Sequence, residues 1–222
     1  MPFLRRRTLG RSVEANLPNA LTLSRILATP VVCLLLFLGT PMGSWLALGL
    51  WVYACVTDFL DGYLARSWQQ QSSFGRMLDP IADKLLVSSV LLVLVGVDRL
   101  AGASILPAAI ILCREILVSG LREFLAQVQV SVPVTRLAKW KTALQMVAIG
   151  FLVVGDAGPY IGSVGPLEVG VCGLWIAAAL TLVTGYDYLR AGLHHMAAEV
   201  RPGDSAYRPP PIERVDPAGD AG

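Results

Sequence analysis

One stretch of this sequence reads Asp58-Phe-Leu-Asp61-Gly62-Tyr-Leu-Ala65-Arg66, and after eight residues it continues with Gly75, Asp79 and Asp83. Four carboxylates therefore lie close together in a part of the chain that is otherwise apolar. A charged side chain at the centre of a membrane helix costs about 2.5–3.5 kcal/mol even on the mildest scale. Acids at such a depth need a compensating cation, so this stretch is the candidate active site.

The composition is typical of a membrane protein. Of the 222 residues, 55% are hydrophobic and only 15% are charged, and the mean hydropathy is +0.61. A soluble domain carries about 25% charged residues. The net charge of +2 is too small to indicate binding to nucleic acid. The four cysteines lie in apolar runs without metal-binding spacing, which is typical of small buried hydrophobic residues.

Six apolar runs predict an all-α membrane protein with six transmembrane helices. Each run is near the roughly 20 residues that a helix needs to cross about 30 Å of hydrocarbon. The runs cover approximately residues 20–39, 45–66, 80–97, 103–125, 138–155 and 168–190.

Three segments follow from this pattern. Residues 17–195 form the six-helix catalytic domain, and residues 196–222 form a Pro-rich cytoplasmic tail that we expect to be disordered. Residues 1–16 form a basic juxtamembrane segment, for which a helix on an anionic membrane surface and a disordered arm are both compatible with the sequence.

The distribution of lysine and arginine predicts the orientation. With six spans, both termini and the 67–79 and 126–137 loops share one side of the membrane. Of the 18 lysines and arginines, all but Arg99 lie on that side or on the helix ends that reach it. We therefore expect cytoplasmic termini, and the polar groups of five spans then lie in the cytoplasmic third of the membrane.

The acids have the geometry of a cation site. Asp58 and Asp61 are three residues apart and Asp79 and Asp83 are four apart, so each pair shares one face of a helix. Carboxylate oxygens suit a hard divalent ion, Mg²⁺ or Mn²⁺, and two ions would neutralise four charges. Gly62 and Ala65 have no bulky side chain, so a planar base or a phosphate could approach the backbone there, although close helix packing also explains small residues.

Basic residues converge on the same level of the membrane. They are Arg25, Arg114, Arg122, Lys139 and Lys141. A metal site does not need these cations, whereas a phosphate-bearing substrate does, because arginine binds phosphate with two hydrogen bonds. Extension of Lys139, Lys141 and Arg25 toward water is the alternative for these three residues.

The chain resembles the CDP-alcohol phosphatidyltransferases, whose signature the residues quoted above match without departure. The resemblance covers about residues 17–190. Outside the signature, three stretches are similar to the bacterial members that form phosphatidylglycerophosphate, namely residues 17–25, 114–123 and 139–146.

The resemblance implies a homodimer in the cytoplasmic membrane that acts on CDP-diacylglycerol and sn-glycerol 3-phosphate, with an active site open to the cytoplasm. It implies that Asp83 is the general base and that two divalent ions are held by Asp58, Asp61, Asp79 and Asp83. The cytidine diphosphate group would lie near Asp61, Gly62, Ala65, Arg66 and Gly75. For the acceptor's phosphate we expect Arg25, Arg114, Arg122, Lys139 and Lys141.

Three alternatives stay open at this point. Another member of the family would keep the signature but use inositol phosphate, phosphatidylglycerol or serine as the acceptor. A membrane prenyltransferase also uses aspartates and Mg²⁺, but its acidic motifs lie far apart in the chain. A divalent cation transporter would bury carboxylates as well, but it would not need the cations around Arg114 and Lys141.

Overall fold

The computed structural model describes residues 7–68, 73–127 and 136–199 of the protein. Side chains are described at residues 20–60, 78, 80–125, 140–186, 189 and 190. Within these ranges there is no β-strand, and the chain forms six long α-helices. They are α1 (Arg7–Phe37), α2 (Pro41–Trp68), α3 (Ser73–Gly96), α4 (Ile105–Gln127), α5 (Arg136–Val154) and α6 (Pro166–Glu199).

The all-α prediction is confirmed, and each of the six apolar runs is found in a helix. Four segments are long and apolar enough to cross a membrane, namely Ala20–Phe37, Pro41–Leu60, Gly102–Leu125 and Pro166–Tyr186. The remaining helices, α3 and α5, carry charged residues in their first halves, including Asp83 and Lys84 in α3 and Lys141 in α5. Six helices are therefore observed, and six membrane crossings remain a prediction.

Two helix boundaries differ from the sequence-based expectation. The loop predicted at 67–79 is shorter, because α3 begins at Ser73 and includes Pro80. Gly75 and Asp79 therefore lie on a helix. Similarly, α1 runs through Pro18, where the sequence suggests the start of the first span. Proline lacks one backbone donor but can lie in a helix when neighbouring interactions compensate. The proposed domain boundary after residue 16 thus does not coincide with a helix end.

The helices pack in an order that places α1 and α6 at the centres of two groups. α1 packs against α2 and α3, α6 packs against α4 and α5, and α2 joins the groups by packing against α5. Trp51 of α2 is 1% exposed and donates from its indole nitrogen to the carbonyl of Met146 in α5 at 3.1 Å. Glycines bring α5 and α6 close together, since a Cβ on Gly170 would lie 2.7 Å from Cγ of Leu152.

The outer surface of the bundle is strongly apolar. Large hydrophobic side chains are exposed along the described helices, among them Leu27 (63% exposed), Leu34 (61%), Phe59 (69%) and Trp140 (73%). Soluble monomers rarely expose contiguous apolar surface on this scale. The exposed faces therefore fit contact with lipid chains.

Arg99 joins three elements at one end of the bundle, which we call the Arg99 end. It follows α3, and its guanidinium donates to Ser44 Oγ of α2 at 2.7 Å and to the carbonyls of Leu152 and Val153 at the end of α5. Burial lowers the pKa of the Arg99 guanidinium, and attraction to Asp156 opposes this change. A helix end leaves its last carbonyls without intrahelical donors. Arg99 supplies donors for α5 and stabilises its end.

Candidate active site

The first part of the candidate site joins three helices through one arginine. Nη1 of Arg25 in α1 donates to the carboxylate of Asp58 in α2 at 2.7 Å and also to the carboxylate of Asp83 in α3. The Arg25 side chain is 1% exposed, whereas those of Asp58 and Asp83 are 42% and 43% exposed. The cation is thus buried behind two acids that remain open to a ligand.

Local structure explains why these residues meet. A short connection at residues 38–40 joins α1 to α2, and α1 packs against both α2 and α3, so Arg25 lies between the two helices that carry the acids. The α1 backbone near Arg25 is supported by Thr29, whose hydroxyl donates to the Arg25 carbonyl at 3.0 Å. Before Asp58, the hydroxyl of Thr57 contacts the carbonyls of Tyr53 and Ala54. Both hydroxyls are satisfied within their own helices.

The other positions of the acidic signature are placed only by their helices. Asp61, Gly62, Ala65 and Arg66 follow Asp58 in α2, and Gly75 and Asp79 precede Asp83 in α3. Their side chains lie outside the part of the chain whose side chains are described. The structure therefore brings Asp58 and Asp83 together and leaves the predicted contacts of the remaining signature residues as predictions.

The acidic part has the donor chemistry of a divalent-cation site. Asp58 and Asp83 offer half-exposed carboxylate oxygens, which are the ligands that Mg²⁺ and Mn²⁺ prefer. Among residues with described side chains, no group of three or more His, Cys, Asp or Glu residues forms a metal site. A complete site would therefore need Asp61 or Asp79 in addition.

The second part of the site is a basic cluster formed by α4, α5 and α6. Lys141 of α5 donates to the carboxylate of Glu115 in α4, and Arg114 contacts the same carboxylate at 3.3 Å. Nη2 of Arg114 donates to Thr184 Oγ1 of α6 at 3.2 Å. The side chains of Lys141 and Arg114 are 3% and 12% exposed. Glu115 thus orients two buried cations.

The other predicted cations have different places in the structure. Arg25 lies with the acids and not with the basic cluster, since its described hydrogen bonds include those to Asp58 and Asp83. Arg122 is exposed on α4, where its charge acts on that of Lys141. Lys139 lies in α5, and its side chain is outside the described residues.

Two buried polar atoms extend the polar lining beyond Lys141. Gln145 lies four residues after Lys141 on α5, and Thr181 lies three residues before Thr184 on α6. The two residues are 3% and 0% exposed, and neither Gln145 Oε1 nor Thr181 Oγ1 has a hydrogen-bond partner in the described part of the protein. Buried polar atoms are normally hydrogen-bonded. These atoms are therefore available to a hydroxyl group or a water molecule.

Lys84 is a residue of the site that the sequence analysis did not single out. Its ammonium group donates to Ser119 Oγ, which links α3 to α4. Contacts between polar side chains therefore run through all six helices, from Arg25 in α1 to Thr184 in α6. The sequence feature that indicates Lys84 is its position directly after Asp83, in a helix that is otherwise apolar toward its end.

An apolar groove begins beside the acidic part. It has a volume of about 650 Å³ and lies between α2, α5 and the segment that leads into α6. Cys55, Phe59 and Leu60 line it near Asp58, and Trp45 and Pro159 line it toward the Arg99 end. The apolar groove thus lies next to the half-exposed carboxylate of Asp58.

The long apolar helices suggest a membrane protein, and comparison with known proteins shows its family. The sequence profile of the CDP-alcohol phosphatidyltransferases matches residues 15–183, which is well over half of the chain. The protein belongs to the CDP-alcohol phosphatidyltransferase family.

Individual relatives are similar along most of their length. A protein of Rickettsia bellii named CDP-diacylglycerol–glycerol-3-phosphate 3-phosphatidyltransferase is 50% identical over 182 residues, covering 81% of this chain and 96% of the relative. The protein of the same name from Cereibacter sphaeroides is 41% identical over 217 residues, covering 83% and 98%. That from Pseudomonas fluorescens is 40% identical over 189 residues, covering 84% and 94%.

Proposed function

We propose that this protein transfers the phosphatidyl group of CDP-diacylglycerol to sn-glycerol 3-phosphate, giving phosphatidylglycerophosphate and CMP in phospholipid biosynthesis. The observation that carries the proposal is the pairing of an acidic part, Asp58 and Asp83, with a basic cluster, Arg114 and Lys141, in one helical bundle. Relatives at 41–50% identity bear the name of this reaction. The reaction needs both a proton acceptor and cations that bind phosphate.

In the proposed reaction, the Asp83 carboxylate takes the proton from the 1-hydroxyl of glycerol 3-phosphate. That oxygen forms a bond to the phosphorus of the phosphatidyl group, and the bond from this phosphorus to the CMP oxygen breaks. CMP leaves with the bonding electron pair. Negative charge on the diphosphate is neutralised by divalent cations when these are bound, and for two such ions we propose the ligands Asp58, Asp61, Asp79 and Asp83.

The chain's own residues bind and orient both substrates. For the cytidine diphosphate group we propose Asp61, Gly62, Ala65, Arg66 and Gly75. The apolar groove beside Phe59 suits an acyl chain of the same substrate, because its lining is almost entirely hydrophobic. For the acceptor's phosphate we propose Arg114, Arg122, Lys139 and Lys141. Arg25, by contrast, neutralises and orients Asp58 and Asp83.

We further propose six membrane crossings, a homodimer, and a location in the cytoplasmic membrane with both termini and the active site on the cytoplasmic side. The support for this orientation is the strong asymmetry of lysine and arginine, of which Arg99 is the exception. Both substrates suit this arrangement, because one is a lipid and the other is a soluble phosphate ester.

The decisive experiment measures CMP release by the purified protein from CDP-diacylglycerol with Mg²⁺. Glycerol 3-phosphate is compared with inositol phosphate, serine and phosphatidylglycerol as acceptor. We expect release with glycerol 3-phosphate alone and its loss after chelation of divalent cations, with recovery when Mg²⁺ or Mn²⁺ is restored. Release with another alcohol would overturn the acceptor assignment. No release with any alcohol would overturn the enzymatic reading, and uptake of a divalent ion into sealed vesicles would then identify a transporter.

A further inference from the structure

We propose that Lys84 binds the phosphate group of the acceptor and thereby contributes to acceptor specificity. This inference rests on the proposed function and deepens it, since it adds a cation from α3 to the basic cluster of α4 and α5. It follows from the charge, the burial and the direction of the Lys84 side chain.

The ammonium of Lys84 is partly buried, and no acid with a described side chain pairs with it. Its described hydrogen bond is to the neutral hydroxyl of Ser119. The ion pairs among residues with described side chains involve Arg25, Arg114 and Lys141, and Lys84 forms none there. A cation in an apolar helix is costly unless it is paired. A bound anion would supply the charge that the described surroundings lack.

The direction of Lys84 separates it from its neighbour Asp83. Successive residues of a helix are rotated by about 100°, and Asp83 contacts Arg25 of α1 while Lys84 contacts Ser119 of α4. α3 therefore presents an acid toward α1 and α2 and a cation toward α4. Although Asp83 and Lys84 are neighbours in the sequence, Asp83 belongs to the acidic part and Lys84 faces the helix that carries the basic cluster.

Ser119 connects Lys84 to the basic cluster. It lies four residues after Glu115 on α4, so the two side chains share one face of that helix. α4 packs closely against α6 but approaches α3 only lightly. Long side chains connect α4 to two other helices: Lys84 of α3 reaches Ser119, and Lys141 of α5 reaches Glu115. Cations from α3 and α5 thus reach residues on the same face of α4.

The acceptor has a shape and a charge that fit this arrangement. In sn-glycerol 3-phosphate the reacting hydroxyl is on C1 and the phosphate is on C3, so the two groups are separated by the glycerol chain. A molecule whose hydroxyl meets Asp83 can place its phosphate on the Lys84 side of α3. Lys84, Arg114 and Lys141 together with Glu115 carry a net charge of +2, which matches a phosphate dianion.

The test is a comparison of the Lys84→Met and Lys84→Arg variants of the full-length protein with the wild type. Steady-state CMP release is measured while glycerol 3-phosphate and CDP-diacylglycerol are varied separately. We expect Lys84→Met to raise the KM for glycerol 3-phosphate about 10-fold or more, because a hydrogen bond to a charged group is lost. The KM for CDP-diacylglycerol should stay near the wild-type value, and Lys84→Arg should recover most of the acceptor affinity.

The matched control is Arg190→Met, which removes one exposed positive charge from α6. It should leave both KM values unchanged. Thermal unfolding of each variant shows whether a kinetic change reflects misfolding. An equal change in both KM values, an unchanged KM for glycerol 3-phosphate, or no recovery in Lys84→Arg would overturn the role of Lys84. A wild-type protein that does not use glycerol 3-phosphate would instead overturn the proposed function.

Discussion

Arg25 and Asp58 are joined by a hydrogen bond of 2.7 Å between α1 and α2, and the same guanidinium nitrogen contacts Asp83 of α3. One buried cation thus sets the relative positions of two carboxylates from different helices. Both carboxylates keep more than two fifths of their side-chain surface exposed. The geometry serves a site in which acids must be held in place and still be able to bind a ligand.

Replacement of Arg25 by methionine should therefore destabilise the protein. Removing one partner of a buried polar contact costs about 1–3 kcal/mol, and water compensates part of the loss because the acids are half-exposed. We expect a lower midpoint of thermal unfolding than that of the wild type, measured in detergent by circular dichroism. The Arg25→Lys variant keeps the positive charge, so its unfolding midpoint should lie between those of the wild type and Arg25→Met. An Arg25→Met variant as stable as the wild type would show that the bridge does not hold the helices together.

The Asp83→Asn variant should retain the fold and lose most of its turnover. Asparagine has the same shape, but it cannot accept the hydroxyl proton, and general-base catalysis typically contributes about 100-fold or more. The measurement is kcat for CMP release, with helix content as the check on folding. Asp98→Asn is the matched control, because Asp98 lies in the loop after α3 with φ +58°, which asparagine tolerates. Near-normal turnover of Asp83→Asn would exclude Asp83 as the base.

The Arg114→Ala variant should weaken acceptor use specifically. Arg114 is 12% exposed and belongs to the basic cluster through Glu115, so its loss should raise the KM for glycerol 3-phosphate about 10-fold. Thr184→Val keeps the guanidinium but removes its 3.2 Å contact to α6, and a smaller effect is expected. If the affinity for CDP-diacylglycerol fell instead, the division of the site into acidic and basic parts would be wrong.

A pair of glycine substitutions should separate backbone strain from side-chain contact at the Arg99 end. Gly155 and Gly162 have φ values of +52° and +66°, but only at Gly155 would a Cβ meet a neighbour, Cζ of Arg99 at 3.1 Å. A left-handed conformation costs a residue other than glycine about 1–2 kcal/mol. Both alanine variants should lower the unfolding midpoint, and Gly155→Ala should lower it more. Equal effects would mean that Arg99 moves aside without loss.

The helices themselves were predictable because apolar runs of membrane-spanning length have few alternatives to the α-helix. The beginning of α3 was not, since Ser73, Gly75 and Pro80 are residues typical of turns. Residue type alone therefore places the start of this helix too late.

Within the site, the sequence predicts how deep a residue lies in the membrane better than it predicts which helix its side chain faces. Arg25, Asp58 and Asp83 were expected at one level of the membrane, and the structure brings them together. The depth of Arg25 does not specify which helix it faces, and this is why it was grouped with the acceptor's cations. For a related reason the motif does not indicate Lys84, because successive residues of a helix point in different directions.

The position of α4 has a consequence for the mechanical behaviour of the protein. Through Ser119, Glu115 and Arg114, this one helix contacts α3, α5 and α6. The three contacts lie within two turns of α4, so a sliding or rotation of the helix strains all of them at once. A shift of α4 would therefore change the positions of Lys84, Lys141 and Arg114 together, which couples the residues that we propose for the acceptor's phosphate.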